Sequence, residues 1–290
     1  MKHKRTITMQ ATIILTVFMF VAFLALGFMS TQQTAAAQTQ TQKETYYTDA
    51  VAVKSSDTET VSYSRYEVQE GNVNPYCPQY YNTNTSLSGA CAPVGGAIVV
   101  GFYDRYCANL VPNTVTGYMS GTKYRYYSMS SISTPIQNVI DALYVSMGTN
   151  SQQQGTTRPQ YQQGLSSYAS SAGYTASFTS MMSGTSLNVS STTTQMTNGK
   201  LITLYITDYN LTSITLGTSS STYSITGFSG NHICIAYKYK LIKYYNASNV
   251  NFRTDAFLYV CTGQSTNAAG WYYVGYSGST LNDADATYIS

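Results

Sequence analysis

The chain has 290 residues, and only 9% of them are charged, against about a quarter in an ordinary globular domain. Aromatic residues make up 13%, with 29 tyrosines, so there is material for a large core, and the low-aromatic, high-charge signature of intrinsic disorder is missing. The formal net charge of +3 is accounted for by Lys2, Lys4 and Arg5; the neutral remainder argues against nucleic-acid binding, which needs clustered Lys and Arg.

In chain order, the basic start Met1–Arg5 leads into an apolar run from Ala11 to Met29, and Ala35 and Ala37 stand at A-x-A spacing before Gln38. This is the layout of a secretory signal peptide over residues 1–37. The run is also long enough to span a bilayer, so an uncleaved anchor is the competing reading. No later segment is apolar enough to cross a membrane. The expectation is a secreted or cell-surface protein that meets membrane only through this segment, if it is retained.

Residues 38–72 are rich in Gln, Thr and Ser and read as a linker or propeptide-like arm. Within it Val61 with Tyr63, and Tyr66 with Val68, have strand spacing, but the phase slips between the pairs. The folded domain is expected over 73–290.

Helices come first in that domain. From Ala92 to Leu110, Ile98, Val99, Phe102 and Tyr106 recur at helical spacing, and Pro93 suits a first turn. Gly95, Gly96 and Gly101 each weaken this helix by roughly 1 kcal/mol relative to Ala, which implies close packing against it. A second helix opens with Thr134 as N-cap and Pro135, burying Ile136, Val139, Ile140 and Leu143. A third spans Pro159–Ala172 and stops at Gly173. Short β-prone runs follow at 174–179, 200–207, 223–228, 232–239, 256–261 and 270–276. Helices segregated before an antiparallel sheet indicate an α+β fold.

The five cysteines are Cys77, Cys91, Cys107, Cys234 and Cys261, an odd number that leaves at least one thiol without an intramolecular bridge. There is no C-x-x-C pair, and His232 is the only histidine beyond His3, so neither a structural zinc site nor another cofactor is expected. Cys91 lies at the mouth of the glycine-rich helix, where free N–H groups and the helix dipole favour a thiolate and suit an oxyanion. His232 opens a strand and is the only imidazole available to move its proton. A cysteine at a helix start is more often buried or bridged, and a lone histidine more often structural; it is their combination that points to catalysis.

Gly89-Ala90-Cys91-Ala92-Pro93-Val94-Gly95-Gly96-Ala97, continuing to Gly101-Phe102-Tyr103-Asp104-Arg105-Tyr106, resembles the active-site helix of papain-like cysteine peptidases. It is closest to the bacterial group related to bacteriocin-leader (double-glycine) processing peptidases. Gly164–Ala169, Asn198–Ile202 and Gly230-Asn231-His232-Ile233-Cys234 are similar to later elements of that group, in the same order. The resemblance implies a papain-like fold, with an N-terminal helical half packed on a C-terminal antiparallel sheet, and a peptide or protein substrate. It implies Cys91 as nucleophile and His232 as base. The oxyanion hole would combine the Cys91 N–H with an upstream side-chain amide. The family's glutamine position is occupied by Thr85, leaving Gln79, Asn82 and Asn84 as substitutes. The position that would orient the imidazole holds Thr262; Asn267, Asp255 and Asp283 are the other candidates, with Asn267 preferred.

If 232–239 and 256–261 form a hairpin, Cys234 and Cys261 are equidistant from a turn near Ala247-Ser248, within reach of a disulfide. Cys77 with Cys107 would be the second bridge, leaving Cys91 free. The functional expectation is a secreted cysteine peptidase. The alternatives are a degenerate, binding-only protein with the same fold, or an amidase or transpeptidase acting on cell-wall peptide.

Overall fold

A computed structural model describes residues 44–49, 52–73, 77–112, 133–152, 154–264 and 269–290, and Thr45–Ser290 is one unit. The expected signal peptide and Asn267 lie outside the described residues. The elements run β1 (Tyr46–Tyr47), β2 (Ala52–Ser62), β3 (Arg65–Asn72), α1 (Cys91–Tyr103), α2 (Ser133–Ser146), β4 (Thr156–Thr157), α3 (Arg158–Ser171), β5 (Ala176–Ser180), β6 (Met182–Ser183), β7 (Ser186–Leu187), α4 (Val189–Thr197) and β8 (Leu201–Thr207). Then follow β9 (Asn210–Leu216), β10 (Ser220–Ser229), β11 (Asn231–Tyr245), β12 (Asn251–Cys261), β13 (Ala269–Tyr273) and β14 (Thr280–Ile289).

Ten of these strands form one antiparallel sheet in the order β2-β10-β9-β13-β12-β11-β8-β14-β5, with β3 also on β11. Strand accounts for 45% of the described residues and helix for 23%. The expected α+β, papain-like division into a helical half and a sheet half is therefore wrong: the described residues are mainly sheet, with four short helices among them. The missing strand came from polar sequence. β2 and β3 fall in the stretch read as a linker, and most of their side chains are exposed, so no buried face imposed a clear apolar period on them. β9 and β14 do carry buried residues, but Thr, Ser, Asn and Asp interrupt their apolar alternation, so composition alone did not mark them as strands.

The phase slip between Val61–Tyr63 and Tyr66–Val68 marks a corner. β2 pairs with β10 and β3 with β11, and at the junction Tyr63 N–H donates to the Ser219 carbonyl and Ser64 N–H to the Tyr245 carbonyl, both at 2.9 Å. The β2–β3 run thus bridges two strands that are distant in the sheet order and turns that part of the sheet into a ring. Val61, Tyr63, Tyr223, Ile225, Ile242, Tyr244, Phe257 and Tyr273 fill it.

β11 joins this ring to the helices. Asn231–Ala236 pair with β8, and Lys238–Tyr245 pair with β3. On the helical side, α1 is buried along its whole length, as expected of a helix apolar all round. A methyl group on Gly101 would sit 2.5 Å from the Tyr80 ring, and one on Gly95 would sit 3.1 Å from Ile233; the glycines permit that closeness. Ile136, Val139, Ile140 and Leu143 of α2 are buried as their spacing predicts. In α3, Thr157 is the N-cap, Gln160 completes a capping box, and the helix gives way at Gly173, whose φ is +86°.

The expected disulfides do not form: all five cysteines are free and buried. The hairpin is centred on Ser248, with Tyr245 opposite Asn251, and its two bulges cancel, so Ile235 and not Cys234 stands opposite Cys261; a one-residue slip turns a side chain to the other face. Cys234 accordingly joins one core cluster and Cys261 another. The Cys261 thiol donates to the Pro78 carbonyl at 3.3 Å and lies beside Cys77, while the Cys107 thiol donates to Ile289.

Candidate active site

Cys91 is the first residue of α1, and its N-cap, Ala90, has no side chain with which to cap the helix. The N–H groups of that first turn must find partners elsewhere. His232 is the second residue of β11, which runs against α1 through Ile233 and Ile235. Cys91 is 2% exposed and His232 fully buried. The Cys91 sulfur, a ring nitrogen of His232 and a carboxylate oxygen of Asp49 all lie within 4.8 Å of one another. Helix start and sheet strand therefore meet in one place, and a third side chain meets them there.

The imidazole has a defined orientation. Nε2 is 2.6 Å from the Thr262 carbonyl oxygen; a carbonyl only accepts, so Nε2 carries the proton and Nδ1 holds the lone pair of the neutral ring. Among the described residues Nδ1 makes no hydrogen bond of good geometry, although the Thr48 backbone lies close to the ring. Tyr209 stacks on the imidazole at 5.0 Å and on Phe228 at 4.6 Å, which fixes the ring plane. Burial lowers the pKa of His232, opposed by the Thr262 backbone, the charge of Asp49 and the Thr48 backbone. Burial and the Asp49 charge push the Cys91 thiol well up, against the backbone N–H groups of Ile233 and Ala92, which favour the thiolate. The resting state is thus thiol and neutral imidazole.

Asp49 was not anticipated. It lies just after β1 in the stretch read as a linker, and no spacing in Tyr46-Tyr47-Thr48-Asp49 marks it as a site residue. Its Oδ2 accepts the Ala90 N–H at 3.3 Å, supplying the cap that Ala90 lacks. Asp49, Cys91 and His232 also form the one group of three metal-ligand-type side chains found among the described residues; binding a metal there would require loss of the Cys91 proton.

The other expected residues divide. Thr262 does contact the imidazole, but through its carbonyl and not through the side chain, whose Oγ1 accepts the Gln264 N–H at 3.3 Å. Asn82 and Asn84 are committed to the turn at 82–87: Asn82 Nδ2 donates to the Asn84 carbonyl at 2.8 Å, and Asn84 Oδ1 accepts from Ser86 N–H at 3.1 Å. Gln79 hydrogen-bonds Tyr237, in a segment whose next residue, Tyr80, passes beside Gly263. Asp255 binds Arg253 and Tyr223, and Asp283 binds Arg158; both are engaged away from the imidazole. Comparison of the chain with protein-family models, curated sequences and solved structures finds no match, so the site is judged on its own geometry.

Proposed function

We propose that the chain is an exported cysteine peptidase in which Cys91 is the nucleophile and His232 the proton carrier. The observation that carries the reading is the meeting of the Cys91 sulfur and the His232 ring within 4.8 Å, with Nε2 tied to Thr262 and Nδ1 left as the basic nitrogen. In the reaction, Nδ1 takes the thiol proton and the Thr262 carbonyl supports the imidazolium by accepting Nε2–H. The sulfur adds to a peptide carbonyl carbon, and N–H groups at the start of α1 receive the oxyanion. The C–N bond then breaks, the leaving amine takes the proton from Nδ1, and a water activated by the same nitrogen hydrolyses the thioester. Export rests on the signal-like residues 1–37.

The test is the rate of iodoacetamide alkylation at Cys91, read by peptide mass spectrometry. Because Asp49 biases the thiol toward its neutral form, the comparison is made between Asp49→Ala and Asp49→Ala/His232→Ala. Faster labelling of Cys91 than of the other four thiols, lost with the imidazole, supports the peptidase. Equally slow labelling in both chains favours a protein that binds without turnover. Casein against purified peptidoglycan as substrate separates a peptidase from a cell-wall amidase.

A further inference from the structure

Residues 45–49 cross the site in the way an extended peptide would. Tyr46 and Tyr47 pair antiparallel with Thr157 and Thr156, in a two-stranded ladder separate from the large sheet. Thr48 N–H donates to the carbonyl of Asn231, the residue before His232, at 2.9 Å. Asn231 Nδ2 returns a bond to the Tyr46 carbonyl at 2.7 Å. The Thr48 backbone lies against the His232 ring. Then comes Asp49, whose carboxylate oxygen takes the Ala90 N–H at the helix mouth, where an oxyanion would be received. A carboxylate therefore stands within 4.8 Å of the Cys91 sulfur, beside the helix start that would receive an oxyanion.

The groove under this segment is shaped for a main chain and one ring. At Gly155 an added Cβ would lie 2.3 Å from the Tyr47 carbonyl oxygen, so only glycine lets the backbones approach this closely. Asn150 holds that wall: its Nδ2 donates to the Ser88 carbonyl at 2.7 Å, and its Oδ1 accepts Gly155 N–H at 2.6 Å. The Tyr47 side chain is 2% exposed and meets Tyr205 at 5.4 Å. Main-chain pairing for affinity, with a pocket for a particular side chain, is the pattern of strand addition to a binding edge.

We propose that residues 45–49 are a self-bound peptide that keeps Cys91 latent, and that the groove they fill takes substrates as extended chains with an aromatic side chain in the Tyr47 pocket. The catalytic half of this statement rests on the peptidase reading; the occupied groove does not. Until the segment leaves, the Asp49 charge opposes the thiolate and β1 blocks the approach of another chain.

Two measurements test it. In the first, Cys91 alkylation is compared in the wild-type chain, Asp49→Ala, and Thr48→Pro, which removes the N–H given to Asn231. Both variants should label at least about tenfold faster than wild type, as expected when the competent state is a minor population. Labelling of the wild type as fast as both variants, with His232 still required, overturns latency while leaving the peptidase intact. The second measurement needs no turnover. In a Cys91→Ser background, a fluorescein-labelled peptide spanning residues 45–49 should bind the Thr48→Pro and Asp49→Ala chains and not the parent. Replacing its second tyrosine with alanine should weaken binding about tenfold or more. Binding to none of the chains, or equally to all, overturns the groove assignment even if Cys91 proves unreactive.

Discussion

The His232 ring is oriented by a main-chain atom: its Nε2 lies 2.6 Å from the Thr262 carbonyl oxygen, where a side-chain carboxylate or amide was expected. A carbonyl dipole fixes the tautomer but brings no net charge, so imidazolium is supported less strongly than it would be beside an aspartate. Replacing the Thr262 side chain should matter little. On the proposed peptidase reading, and in the Thr48→Pro chain, Thr262→Ala is expected to retain peptide hydrolysis within about threefold, whereas a lost general acid–base typically costs at least about a hundredfold and His232→Ala should lose that much. A collapse of kcat/KM in Thr262→Ala comparable to that in His232→Ala would refute the main-chain assignment.

Asp104, directly after α1, is fully buried; its Oδ1 accepts Val111 N–H at 2.8 Å, and its Oδ2 has no partner among the described residues. Burial pushes its carboxyl up from 3.8 to about 6, against the backbone bonds from Val111 and Leu110. Because the folded pKa lies above the unfolded one, this group's stabilising effect is complete below 3.8 and is lost as pH rises through about 6. Asp104→Asn keeps the acceptor without the charge. Near pH 8 it should stabilise the fold by on the order of 2 kcal/mol, and at pH 4 it should have little effect. Urea unfolding at the two pH values decides; an equal effect at both would mean that the carboxyl does not titrate as described.

Gly101→Ala sets two effects against each other. Alanine favours an exposed helix interior by about 1 kcal/mol, but here its methyl group would meet the Tyr80 ring at 2.5 Å. Overpacking costs roughly 1–3 kcal/mol, so the net expectation is destabilisation. Gly101→Ala/Tyr80→Phe should stay destabilised, because the ring itself makes the clash, while Gly101→Ala/Tyr80→Leu should recover part of the loss. A more stable single variant on thermal melting would show that the helix has room.

Arg158 at the start of α3 donates to Asp285 from Nε at 2.9 Å and from Nη2 at 2.5 Å, and reaches Asp283 from Nη1 at 2.5 Å. The Asp285 side chain is 1% exposed and also accepts from Gln162 at 2.7 Å. Removing one partner of a buried pair typically costs about 3–5 kcal/mol, so Arg158→Ala should destabilise heavily and Arg158→Ala/Asp285→Asn should restore a large part. If the double variant is no more stable than the single one in chemical denaturation, the stranded charge is not the cause.

Three of the four described helices were legible from their punctuation: Pro93 in the first turn of α1, Pro135 ahead of the 136, 139, 140 and 143 stripe, and Gly173 at a left-handed stop after α3; α4, built largely of Ser and Thr, was not expected. The strand of His232 was legible from its apolar run. β2, β3, β9 and β14 were hidden because half-exposed strands built from Thr, Ser, Asp and Glu look like linker in composition, and only pairing with β10, β11, β13 and β8 makes them strands. In the site, Cys91 and His232 stood out by chemistry and scarcity. Thr262 was found for the wrong atom, since a main-chain carbonyl has no residue-type signature. Asp49 could not be seen at all: it reaches the helix mouth only because β1 is fastened to β4 more than a hundred residues on. The disulfide expectation failed at the turn: Tyr245 pairs with Asn251, so the hairpin is centred on Ser248 and not between Ala247 and Ser248, and the two bulges further along cancel.

The division of β11 between β8 and β3 also separates two tasks. His232 belongs to the stretch clamped by β8, while Ile242 and Tyr244, further along, face the ring closed by the β2–β3 corner. The ring can be refilled with other side chains, or enlarged at its loops, without re-aiming the imidazole. Variation at that end of the molecule is open to new attachments while the chemistry at the other end is left alone.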